Sequence, residues 1–224
     1  MILQTKEILS KLYSLTNSVI LFHSATGKDS IVLLDLLYKK GLIVQPVFMY
    51  EVKGLTYIEK YIAWSEKKYN VKFIQVPHFS LSSFIKTGAL GIKKDAKFPI
   101  MNISKISKSI YNKTGIEWVV MGCKCNDSLV RNAQLKTYEL NSIYQKGKKC
   151  YPLSEWNNKE CLNYIKLNHL ITPIKTNNRK SQGNITCIDD LKWLHKNYPN
   201  DLQKVFNQFP ECEAMFYQSN YENK

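Results

Sequence analysis

Apolar runs of strand length alternate along this chain with longer stretches whose apolar residues recur at helical spacing. Residues 2–16 set Ile2, Leu3, Ile8, Leu9, Leu12 and Leu15 near a 3.6-residue period, predicting an amphipathic helix that covers one face of a sheet. The apolar run 19–22 predicts a buried strand. A polar stretch, 24–30, separates it from a strongly apolar segment that starts at Ile31 and stops at Lys39-Lys40-Gly41, the pattern of a helix with basic residues and glycine at its end. Residues 42–50 predict a second buried strand, 51–54 a turn, 56–69 a helix and 71–76 a third strand. Strand and helix in alternation make a right-handed parallel arrangement the expectation.

Residues 77–104 mix Pro77, His78, Gly88, Gly91 and Pro99 with short apolar pieces, predicting an excursion with short helices rather than a strand. His78 follows the third strand, and the reading there is a hydrogen-bonded structural histidine. A helix is predicted over 104–114, a fourth strand over 117–121 and a short final strand over 150–153. The helix that continues to Leu170 has Asn157 or Asn158 to cap it. The tail begins polar, with Arg179, Lys180, Ser181 and Gly183. It then becomes helical through Leu191, Trp193 and Leu194, and Tyr198-Pro199-Asn200 breaks and restarts the helix. The expected fold class is α/β: a five-stranded-type parallel sheet flanked by helices, as residues 1–175, with a mostly helical extension, 176–224, packed on it.

Between the first strand and its helix stands Ser24-Ala25-Thr26-Gly27-Lys28-Asp29-Ser30. A helix N-terminus carries unpaired N–H groups and positive partial charge, which suits an anion. Gly27 lets backbone approach a phosphate closely, and Lys28 adds a mobile cation. The loop is not a Walker A loop, because Phe22 stands where the first glycine would be and Asp29 follows the lysine. In α/β folds ligands bind at the C-terminal ends of parallel strands, so the segment from Gly122 through Arg131, after the fourth strand, is expected to face this loop across a crevice. Arg131 adds a guanidinium suited to bidentate contact with phosphate.

Composition narrows this reading. At 224 residues, one domain with a small appendage is the default, and a core can form without staples. The six cysteines, at 123, 125, 150, 161, 187 and 212, show no C-x-x-C spacing, so reduced thiols are expected and no bound zinc or iron–sulfur cluster. Net charge is +14, from 32 Lys and Arg against 18 Asp and Glu. That balance favours anionic partners, although Arg131 and Arg179 are the only arginines and a general lysine bias would give the same total. No window approaches the roughly 20 apolar residues of a membrane span. The charged N-terminal stretch lacks the form of a signal peptide, so a cytoplasmic location is expected.

The loop resembles the PP-loop, S-x-G-G-K-D-S, of the ATP pyrophosphatase superfamily: Ser24, Gly27, Lys28, Asp29 and Ser30 match, and Thr26 replaces the first glycine. Two further motifs follow in order. One is Gly122, Lys124, Asp127, Ser128 and Arg131; the other is Pro152-Leu153-Ser154-Glu155-Trp156. With them, residues 15–175 resemble the 3′-phosphoadenosine-5′-phosphosulfate (PAPS) reductase family. The resemblance implies a Rossmann-like fold of the adenine nucleotide alpha hydrolase kind over residues 1–175. It implies an adenine nucleotide, ATP with Mg²⁺ or else PAPS or AMP. Ser24, Ala25, Thr26, Gly27, Lys28, Asp29 and Ser30 would hold the phosphates, Met49 and Tyr50 would border the adenine, and Gly122 would make room for the nucleotide beside Lys124 and Ser128. Lys28, Asp29 and Arg131 would carry the chemistry.

The tail departs from the family. The reductases use a cysteine in an E-C-G-L-H motif; here the residues are Glu211-Cys212-Glu213-Ala214-Met215, and two glutamates beside a thiol oppose thiolate formation. The implied activity is therefore cleavage of ATP to AMP and pyrophosphate, activating an acceptor in sulfur transfer or nucleic-acid modification. A thiol-dependent PAPS or adenylylsulfate reductase and a non-catalytic nucleotide-binding subunit are the alternatives. Expected partners are the nucleotide, a nucleic acid or a protein on the basic surface, and a second copy in a homodimer.

Overall fold

The computed structural model describes residues 3–174 and 186–221; Arg179, Lys180, Ser181, Gly183 and the expected boundary at 175/176 lie outside the described residues. Six strands form one sheet in the order β3-β2-β1-β4-β6-β5. They are β1 Ser18–Phe22, β2 Ile43–Tyr50, β3 Ile74–Pro77, β4 Val119–Val120, β5 Ile143–Tyr144 and β6 Lys149–Cys150. β1 runs parallel to β2, with Ser18 opposite Ile43, and parallel to β4, with Ile20 opposite Val119. β4 runs parallel to β6. Val19, Ile20 and Leu21 are buried on both faces of the sheet, which explains why β1 reads as a continuous apolar run rather than an alternation.

The five strands expected from sequence are present, and β5 extends them. It pairs antiparallel to β6, with Ile143 opposite Cys150, across a tight hairpin in which Lys148 takes a left-handed backbone (φ 48°). Two residues are too few for any hydrophobic period to register. The helices are α1 Leu3–Leu15, α2 Lys28–Lys39, α3 Thr56–Tyr69, α4 Phe79–Thr87, α5 Ile103–Thr114, α6 Leu129–Lys136, α7 Asn158–Leu167, α8 Ile188–Asn197, α9 Pro199–Gln208 and α10 Pro210–Tyr221. Among the described residues no helix is long and apolar enough to cross a membrane.

By packing, the chain forms two compact units: residues 1–48, 61–75 and 107–173, and residues 49–60, 76–106 and 174–224. In the first unit α1 contributes Ile8, Leu9 and Leu12 to the core, and α2 contributes Ile31 through Leu34, Leu36 and Leu37. So much of α2 is apolar because it is buried nearly all round. Its one buried acid, Asp35, accepts hydrogen bonds from the hydroxyls of Tyr69 (3.1 Å) and Tyr164 (2.7 Å) and pairs with Lys39 (2.8 Å), so the carboxylate is fully compensated. Trp156 is buried and donates its indole N–H to Thr5 of α1 at 2.7 Å, while Thr5 donates to the Pro152 carbonyl at 3.3 Å. The Pro152–Trp156 motif is thereby a clasp for the N-terminal helix.

In the second unit, buried Asp201 of α9 caps the first turn of α3. It accepts from the Thr56 hydroxyl (2.9 Å) and the Tyr57 amide (3.3 Å) and pairs with Lys204 (2.9 Å). Burial pushes its carboxyl pKa up, but these donors outweigh burial and hold it below the usual value. Tyr57 packs edge-on against Trp193 and Phe84 edge-on against Phe209. Pro199 opens α9 at its first helical position, as the break at Tyr198-Pro199 predicts.

Candidate nucleotide site

β1 ends at Phe22, and the chain turns through residues 23–27 into α2. The turn is held from inside. The Ser24 amide donates to the Ser30 hydroxyl at 3.0 Å, the two serine hydroxyls lie 3.0 Å apart, and the Thr26 amide donates to the Ser24 carbonyl at 2.7 Å. Ala25 takes the left-handed backbone (φ 53°), the position in this loop where a glycine would be least strained. Gly27 has an ordinary φ of −78°, so its lack of a side chain answers a different need. A Cβ there would stand 2.2 Å from the Ser24 hydroxyl oxygen, and that oxygen fills the space.

Gly27 is also the N-cap of α2, and no side chain caps that helix. The neighbouring helices of the same unit differ. Ser128 accepts from the Arg131 amide at 3.1 Å to cap α6, and Asn157 accepts from the Glu160 amide at 3.0 Å to cap α7, reciprocated by Glu160. The first-turn amides of α2 therefore remain a ready anion receptor at the C-terminal end of a central parallel strand.

Asp29 is the hub of the site. Its Oδ2 accepts from Lys28 Nζ at 2.9 Å, and its Oδ1 accepts from Lys124 Nζ at 2.7 Å and from the Cys161 thiol at 3.2 Å. Burial pushes the Asp29 carboxyl pKa up, but hydrogen bonds and charge from Lys124, then Lys28, prevail and set it below the usual range. Lys124 is 2 % exposed, with Nζ also 3.2 Å from Asn158 Oδ1. Burial alone would lower its pKa; the Asp29 hydrogen bond and charge reverse this and hold it above the usual lysine value, so the pair stays ionised. Gly122 stands where a Cβ would meet Asp29 Cβ at 3.1 Å, so its missing side chain admits the first turn of α2 to the end of β4.

The structure thus brings Ser24 through Ser30, Gly122 and Lys124 together in one unit. Ser128 lies there too, as the cap of α6, and Arg131 follows it one turn on, donating to Gln134 at 3.0 Å. Met49 and Tyr50 belong to the second unit. Three participants carry no signal in the sequence. His23 accepts the Ala25 amide on Nδ1 at 3.0 Å, which places its proton on Nε2; burial drives its pKa down to about 3, so the ring is neutral. Asn158 and Cys161 arrive on α7, more than a hundred residues from the loop. The Cys161 thiol is pushed up to about 12, by burial first and then by Asp29, so it acts as a hydrogen-bond donor and not as a nucleophile.

In the second unit, Cys212 is wholly buried, and burial, Glu211 and Glu51 push its thiol up to about 11. His78 caps α4 by accepting the Ser80 amide at 3.3 Å, the structural role expected of it. Among the described residues no group of three or more His, Cys, Asp or Glu side chains is placed to hold a metal ion.

Comparison with curated protein sequences gives no match. Solved structures similar to the chain include an NH3-dependent NAD synthetase from Campylobacter jejuni in complex with the nitrate ion (TM-score 0.49, 13 % identity, covering 99 % of this chain and 95 % of that one). Another is an FMN adenylyltransferase from Candida glabrata in complex with ATP (TM-score 0.43, 14 % identity), where 72 % of this chain aligns with about half, 54 %, of the other. The model of the phosphoadenosine phosphosulfate reductase domain family matches residues 19–187, from β1 to the N-cap of α8. With a match over most of its length that takes in the α2 loop, Gly122–Arg131 and Pro152–Trp156, the chain belongs to the phosphoadenosine phosphosulfate reductase domain family, a nucleotide-binding PP-loop family.

Proposed function

We propose that this chain binds ATP at the Ser24–Ser30 loop and splits it to AMP and pyrophosphate, transferring the adenylyl group to an acceptor in sulfur transfer or nucleic-acid modification. The observation that carries this reading is the uncapped N-terminus of α2, flanked by the Lys28–Asp29–Lys124 cluster. The α2 amides and Lys28 would receive the phosphates and stabilise charge on the leaving pyrophosphate. Asp29 would aim Lys28, itself held in place by buried Lys124. Both Asp29 oxygens already carry cationic donors, which suits a positioning role better than direct metal ligation. Mg²⁺ would arrive on the nucleotide and supply further charge neutralisation when bound. Arg131 would meet a phosphate oxygen from the first turn of α6. Met49 and Tyr50 are proposed to border the adenine, and residues 1–175 and 176–224 to act as nucleotide-binding domain and helical extension.

A thiol-dependent reductase needs an accessible low-pKa thiolate, and buried Cys212 between acidic neighbours is poorly suited to that task. The test is pyrophosphate release from ATP by the wild-type chain and by Lys28→Ala. Loss of about a hundredfold in the variant is expected, the scale of removing one oriented charge donor. Equal release by both proteins would refute the role given to Lys28. Sulfite production from PAPS that disappears in Cys212→Ser would favour the reductase instead.

A further inference from the structure

Apart from the PP-loop, the first unit holds a concave feature beside α6. A cavity of about 400 Å³ opens at the far end of α6, with Tyr138, Tyr144, Glu139 and Lys146 in its wall. Tyr138 and Tyr144 stack with ring centres 4.9 Å apart and planes within 15°, and Tyr151 continues the stack behind Tyr138 at 6.1 Å and 21°. Tyr151 is buried, Tyr138 partly buried and Tyr144 exposed, so the ladder runs from the core out to solvent. Its placement is specific. A Cβ on Gly147 would fall 2.4 Å from the Tyr144 ring, so a side chain there would displace the ring from its present place.

The inner end of the ladder packs with Cys123, next to Gly122 and Lys124 of the candidate site. A hydrogen-bonded relay joins the same two places: Arg131 donates to Gln134 at 3.0 Å, and Gln134 donates to the Tyr138 hydroxyl at 2.9 Å. α6 spans eight residues, about 12 Å, so the cavity lies within a short reach of Arg131.

The charge along this stretch leans basic. From 131 to 149 the chain carries Arg131, Lys136, Lys146, Lys148 and Lys149 against Glu139; Glu139 is paired with Lys11 at 3.2 Å and Lys148 with Glu117, while Lys136 and Lys146 are exposed. Aromatic rings interleaved with lysines match the chemistry of a nucleic-acid single strand, whose bases stack and whose phosphates meet cations. A duplex keeps its bases stacked on each other and offers this surface only its phosphates. We infer that the Tyr138–Tyr144 cavity is the docking surface for a single-stranded nucleic acid. Describing that strand as the acceptor rests on the adenylyl-transfer reading; its binding does not.

The experiment measures fluorescence anisotropy with a labelled oligothymidylate of about 12 nucleotides, within the span of known single-strand sites, and with a labelled duplex of equal length, in the absence of ATP. Binding of ATP is measured separately. Tyr144→Ala should weaken the single strand roughly tenfold, the scale of one base–aromatic stack, while Tyr144→Trp restores it and both retain the wild-type ATP affinity and unfolding midpoint. Lys146→Ala should flatten the salt dependence. Absence of strand binding would overturn the inference, and so would equal strand affinity in wild type and Tyr144→Ala, or single strand and duplex bound equally tightly. A strand that binds normally to a chain that fails to release pyrophosphate would instead remove only the acceptor role. An acidic peptide that displaces the strand with no Tyr144 dependence would reassign the surface to a protein.

Discussion

Gly27 and Ser24 show how a single missing side chain shapes the loop. The Ser24 hydroxyl occupies the place of a Gly27 Cβ and is tied to Ser30 there. Gly27→Ala must turn Ser24 away and lose that contact, a cost of about 1–2 kcal/mol, typical of overpacking. In a Ser24→Ala background the same substitution should be almost neutral, because the obstructing oxygen is gone. Urea unfolding of the four proteins measures this coupling, and additive costs would refute the steric account. The sequence marks Gly27 as functional but cannot show that its neighbour is a serine hydroxyl, since that contact depends on the chain reversing at Ala25. The Asp29 partners were harder still. Lys28 is adjacent and was legible, whereas Cys161 lies in a helix whose apolar pattern makes it look like any core residue.

Among elements, the clasp between α1 and the Pro152–Trp156 segment is the clearest case of a motif whose meaning is packing. Trp156→Phe keeps an aromatic in the core but removes the N–H bonded to Thr5. The expected loss is about 1–2 kcal/mol, the cost of an unpaired buried partner plus a small void. Thr5→Val should cost clearly less in the Trp156→Phe background than in wild type. Thermal or urea unfolding checks both, and the same penalty in either background would mean that the hydrogen bond contributes nothing. Strand β1 and helix α2 were legible because burial nearly all round leaves a continuous apolar record, and β2, α3 and α7 because a buried face leaves apolar residues at the period of the element. α6 and β5 were not. α6 exposes Leu129 and Val130 and so has no apolar stripe facing a core, and β5 is two residues long.

The stability of the whole molecule should carry the imprint of His23. Its folded pKa, about 3, lies below the ordinary 6.5, because burial disfavours the imidazolium. Between those values the unfolded chain binds the proton and the folded chain does not, so stability rises with pH across that window. The contribution is complete above about pH 6.5 and is lost as pH falls towards 3. His23→Asn retains an acceptor for the Ala25 amide without a titrating ring. Its unfolding midpoint should therefore fall less than that of the wild type between pH 7 and pH 4. Parallel pH profiles for the two proteins would show that His23 does not titrate as described. The net charge of +14 acts at this scale as well, but a total does not say where an anion docks.

Local pattern along the chain was enough for the α/β class, the order of the five parallel-sheet strands in sequence, the loop between β1 and α2, and the family. Each of these rests on neighbours within a few residues or on motifs in fixed order, and burial imposes its period there directly. The lateral order of the strands, the antiparallel edge and the network on Asp29 were settled only by folding. They depend on residues 95 to 132 positions apart meeting in space, as Lys124 and Cys161 do at Asp29. No local propensity encodes such a meeting, because the energy that selects it comes from closing the core and from compensating a carboxylate removed from water.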